Sequence, residues 1–78
     1  MTPSSEAQIR RGLNASPLSN PELDVLRAAA DGLSAKETAE KLVKSEHTVV
    51  AQRRAVTAKL GARNLPHAIA LAFRIRVL

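Results

Sequence analysis

The chain has 78 residues, a net charge of +5 and a pI near 10.8, which allows one small domain and points to a polyanionic partner. The absence of cysteine excludes disulfides and thiolate metal sites. Phe73 is the only aromatic residue, so RNA recognition by base stacking has no support, and a core must be built from Leu, Val, Ile and Ala.

The first 17 residues read as an N-terminal arm. Ser5 and Gln8 form a weak capping box, Ile9 and Leu13 suggest one short turn closed by Gly12, and Arg10 and Arg11 are within reach of phosphate. A domain is expected over residues 18–78. Ser19, Pro21 and Glu22 give a strong helix start, and Val25, Leu26, Ala29, Ala30 and Leu33 mark its apolar face before Asp31-Gly32. This predicts a first helix over about 20–31. Ser34 and Glu37 repeat the capping box and open a second helix over about 35–42, its inner face Ala35, Thr38, Ala39 and Leu42.

After a break at Val43-Lys44, Ser45 caps a third helix over about 46–60, closed by Gly61. At helical period, Val49, Gln52, Val56 and Leu60 form an inner stripe. His47, Val50, Ala51 and Arg54 lie opposite, with Arg53 and Lys59 near the flanks. Two helices joined by so short a turn cross steeply, the geometry of a helix-turn-helix. Asn64 and Pro66 then start a fourth helix over about 64–76. Its apolar surface runs from Leu65, Ala68, Ile69, Ala72 and Ile75 round to Leu71, Phe73, Val77 and Leu78, which favours self-association. The fold class is therefore all-α.

Charge divides unevenly along the chain. Residues 1–40 carry a net −2 and residues 41–78 a net +7, so the positive half contains the third helix. Glu22 and Asp24 sit near a helix start, where capping explains them better than acid–base catalysis. His47 and His67 are far apart, no carboxylate stands at ligand spacing, and no glycine-rich loop is present. An enzyme is thus the least expected class, with no metal, cofactor or small-molecule ligand. Arg74 and Arg76 interrupt the last apolar run, so neither a signal sequence nor a membrane span is expected, and a cytoplasmic, nucleoid-associated protein is.

Leu18-Ser19, Glu22, Val25-Leu26, Gly32-Leu33-Ser34, Lys36-Glu37, Ala39, Leu42, Ser45 to Val49, Lys59-Leu60-Gly61 and Ala68 together resemble the LuxR-type (GerE-like) helix-turn-helix domain, from about Leu18 to Arg74. The resemblance implies a four-helix transcription regulator that binds double-stranded DNA as a homodimer on an inverted repeat. It implies that the third helix lies in the major groove, with Val50, Ala51 and Arg54 facing the bases; His47, on the same outer face, is expected to add a contact. Ser45, Thr48 and Lys59 would meet the DNA backbone, where Lys44 and Arg53 are also expected. The fourth helix would form the dimer contact, for which Leu71, Arg74, Ile75 and Leu78 are the candidates.

The chain departs from the family pattern at Val50 (usually Lys), Gln52 (usually His), Thr38 (usually Ile) and Pro21 (usually basic). Val50 can make only apolar contacts, such as with a thymine methyl, which shifts hydrogen-bonded readout to Arg54. The residues before Leu18 are too few for a receiver or ligand-binding domain, so a free-standing member is expected. The alternative is a helix-turn-helix scaffold reused as an adaptor that binds RNA polymerase or another regulator.

Overall fold

The computed structural model describes residues 17–78, which form four helices: α1 (Asn20–Ala30), α2 (Ala35–Leu42), α3 (Glu46–Lys59) and α4 (Leu65–Arg74). The expectations for the arm, including Arg10 and Arg11, lie outside the described residues. Each helix begins where its cap predicts. The Ser19, Ser34 and Ser45 hydroxyls accept from Glu22, Glu37 and Thr48 N–H, and Asn64 Oδ1 accepts from His67 N–H at 2.9 Å. In α1 and α2 the box is closed by Glu22 and Glu37 accepting the Ser19 and Ser34 N–H groups, at 2.9 and 2.8 Å.

The C-terminal ends reuse one device. Gly32 and Gly61 adopt positive φ (89° and 66°), and the residue after each donates back into the last turn, Leu33 to Ala28 and Ala62 to Thr57. Helix α4 ends the same way with no glycine: Arg76 sits at φ 61° and Val77 donates to the Ala72 carbonyl. That turn stops α4 at Arg74, two residues short of the expected end, and folds Val77 and Leu78 back against the core. Helix α2 closes on Val43, left-handed at φ 57° and 89% exposed. A β-branched residue there costs roughly 1–2 kcal/mol relative to a residue that adopts the left-handed region freely.

Helix α3 packs against the other three helices. Its stripe divides the core in two. Val49 joins Val25 of α1 and Ala39 of α2, while Val56, two turns on, joins Leu18, Leu26, Ala68 and Ala72. Val25, Leu26, Val49 and Val56 are all 0% exposed. The α1 face is rotated slightly from the expected one: Ala28 is buried, and Ala29 and Ala30 are half-buried. Thr38 stands in the floor of α2 at 0% exposure, and its hydroxyl has no hydrogen-bond partner. None of the helices is long and apolar enough to cross a membrane, among the described residues.

Candidate nucleic-acid interface

Three groups tie α3 into the fold, and each is a cation. Lys59 Nζ donates to both oxygens of Glu22, at 2.9 and 3.0 Å, joining the end of α3 to the start of α1. Arg53 reaches across to the α1–α2 connection, where its terminal N–H₂ donates to the Leu33 carbonyl at 2.9 Å. Its Nε is buried without a partner. Lys44 Nζ donates to Gln52 Oε1 at 2.9 Å, bracing the turn between α2 and α3. All three had been expected on the DNA backbone. The structure gives each an internal acceptor: Arg53 and Lys59 leave α3 on sides that face neighbouring segments, and Lys44, in the turn before α3, folds onto Gln52 of the helix itself.

The opposite face of α3 is different. His47, Ala51 and Arg54 are exposed and Val50 is half-buried. Arg54 makes no hydrogen bond or ion pair among the described residues, so its guanidinium keeps its full set of donors for an outside partner. At the N-terminus of the helix, Ser45 Oγ donates to Thr48 Oγ1 at 2.9 Å while accepting the Thr48 N–H. Both side chains are exposed. That arrangement leaves the Thr48 hydroxyl proton as an outward donor next to the free amides of the first turn, a geometry suited to phosphate. The helical period thus places His47, Ala51 and Arg54 on the exposed face, as the structure does. The internal acceptors of Lys44, Arg53 and Lys59 lie 8, 20 and 37 residues away and leave no local signal.

Glu22 sits where two jobs meet. The Ser19 N–H, first, and the Lys59 ammonium beside it hold its carboxyl below the usual carboxylate range, against the opposing pull of burial. Glu37 is lowered by the Ser34 N–H and hydroxyl alone.

The family pattern for bacterial regulatory proteins of the luxR family (GerE) matches residues 16–72, most of the chain. The chain belongs to that family. The four helices, with no strand among the described residues, agree with the helix-turn-helix domain of these DNA-binding transcription regulators. The Fimbriae Z protein of Salmonella typhimurium (strain LT2) is 45% identical over 49 residues, 63% of this chain. That match spans 23% of the Salmonella protein, less than a quarter of its length.

The expected dimer residues are distributed along α4 and the turn after it. Arg74 and Ile75 are exposed, the latter at 50%, and Phe73 beside them is 57% exposed. Leu71 is half-buried. Leu78, expected on the interface, is half-buried against the core because the turn at Arg76 folds it inward.

Proposed function

We propose that the chain is a sequence-specific regulator of transcription that binds double-stranded DNA with α3 in the major groove. The observation that carries this is Arg54, without a partner among the described residues, beside Val50 and Ala51 on the exposed face of α3. Its fork matches guanine O6 and N7, while Val50 and Ala51 offer apolar contact to thymine methyls. His47 adds a donor near the same end, and Ser45 and Thr48 bind the phosphate beside them. In this reading Lys44, Arg53 and Lys59 aim the helix instead of contacting DNA. The membership of the family supports DNA binding as such; the residue roles rest on the geometry.

The same proposal includes a homodimer joined through α4, with Phe73, Arg74 and Ile75 at its centre and Leu71 at its edge. Two α3 helices would then enter successive major grooves about 34 Å apart on an inverted repeat. Sedimentation of Ile75→Glu tests this: monomers are expected, and an unchanged dimer removes α4 from the interface. DNA binding is tested by fluorescence anisotropy on a random duplex and a selected pool across a salt series. Binding should weaken steeply with salt while a preferred sequence emerges. No binding at low salt would instead leave the adaptor reading, which the apolar Val50 favours, with RNA polymerase or another regulator as partner.

A further inference from the structure

Val50 and Arg54 also form one end of an open groove of about 570 Å³ that runs down α3 onto the α3–α4 connection. Farther along, its walls are Ala58, Ala62 and Leu65, with Asn64 at the start of α4. No acidic residue lines it. Asn64 Oδ1 is occupied by the His67 N–H, so the amide has its N–H₂ group left to offer. Arg54 brings an unneutralised guanidinium. Arg53 and Thr57 line it as well, Arg53 with one terminal N–H₂ already donating to the Leu33 carbonyl. The groove therefore combines an apolar wall with side-chain donors and two positive charges, of which Arg54 is the one with no hydrogen bond among the described residues.

That combination restricts the occupant. A neutral apolar molecule would cover Arg54 without pairing it, which is costly. A sugar phosphate would leave Ala58, Ala62 and Leu65 against polar groups. A DNA backbone is polar throughout and offers nothing apolar to Ala58, Ala62 and Leu65. An anion with a compact charged head and a flat or linear apolar body uses every wall at once, and the volume falls within the range of small-molecule sites, roughly 300–1,000 Å³. We propose that the groove binds an amphipathic carboxylic acid, its carboxylate on Arg54 and its apolar body along Ala58, Ala62 and Leu65. Because Arg54 cannot serve the acid and a guanine together, occupancy displaces DNA, a consequence that rests on the DNA-binding reading. This ligand class was not expected from the sequence, where the lining residues are scattered over Val50 to Leu65.

The probes are 1-naphthaleneacetate and its neutral isostere 1-naphthaleneacetamide, titrated into the full chain and followed by amide chemical shifts. The acid is expected to move Ala58, Ala62 and Leu65 saturably, and the amide to bind roughly tenfold more weakly for want of the charge-assisted pair. Arg54→Gln should remove most of the acid's advantage over the amide, Arg53 being the one guanidinium left in the lining, and Ala58→Glu, at an exposed helical position, should abolish the shifts while the rest of the spectrum is kept. Equal binding of acid and amide, shifts confined to Phe73 and Ile75, or no shifts at all would overturn the site. A labelled duplex added to the same samples tests the consequence. Release of duplex as the acid saturates supports it, and saturation with the duplex still bound overturns it. Should the chain bind no duplex, the DNA reading fails, and the site is decided by the shifts alone.

Discussion

The two long faces of α3 carry similar residue types and do opposite work. On the inner side, Val49 and Val56 are fully buried, the flanking Arg53 and Lys59 are held on acceptors elsewhere in the fold, and Lys44 in the preceding turn is held on Gln52. On the outer side, Arg54 has no partner among the described residues and stands beside Val50 and Ala51. Arg53 and Arg54 are adjacent in sequence, yet about 100° of helical rotation separates a strut from a free donor. Positive charge on a helix is thus no guide to outside contact until the internal acceptors are known.

The comparison breaks most severely at the inner stripe. Val56→Ala removes two buried carbons between α1 and α4 and should cost about 2 kcal/mol, the transfer and cavity contributions together. Thermal melting should show this as a fall of roughly 10 °C or more for a domain this small. An unchanged midpoint would mean the two-part core is not what holds α3.

Lys59→Met should cost less, about 1 kcal/mol, since the lysine end of the pair is half-exposed and partly screened. It also changes the response to acid. Glu22 has a folded-state pKa below its unfolded value, so its stabilisation is present above the ordinary glutamate pKa of 4.5 and is lost as pH falls through the lowered one. The variant should lose less stability than the parent over that acid range, because part of the cause is already gone. Identical acid sensitivity in urea titrations at pH 7 and below pH 4 would show that Lys59 contributes nothing to Glu22.

A change of similar size and opposite sign is expected at Thr38. Thr38→Val keeps the shape and removes a buried hydroxyl without a partner, which should stabilise by about 1 kcal/mol. Duplex affinity should stay the same, because α2 supports α3 from below. A destabilised variant would mean the hydroxyl has a partner that the structure does not show.

Much of this was legible in the sequence. Ser19, Ser34, Ser45 and Asn64 announced every helix start, Gly32 and Gly61 announced two of the ends, and the period of Val49 and Val56 picked out the buried side of α3. These are local signals, read within one or two turns. The end of α4 was missed because Arg76 takes the left-handed turn that glycine usually marks, and Leu78 was misplaced with it. The partners of Arg53 and Lys59 were missed for another reason: Leu33 offers only a backbone carbonyl, and Glu22 already had a complete role as a capping residue. Long-range acceptors of that kind exist only once the chain has folded.

The most direct test sets Arg53→Met beside Arg54→Met, measuring duplex affinity over a salt series together with the melting temperature. The account predicts that Arg54→Met melts like the parent and loses about 1–3 kcal/mol of preference for its selected sequence over random DNA. Arg53→Met should melt lower, through loss of the Leu33 contact, with the salt dependence of binding unchanged. The reverse pattern would contradict it: an Arg53 variant of normal stability whose log–log salt slope falls by about 0.9, the signature of one lost phosphate contact, beside an Arg54 variant with its sequence preference intact.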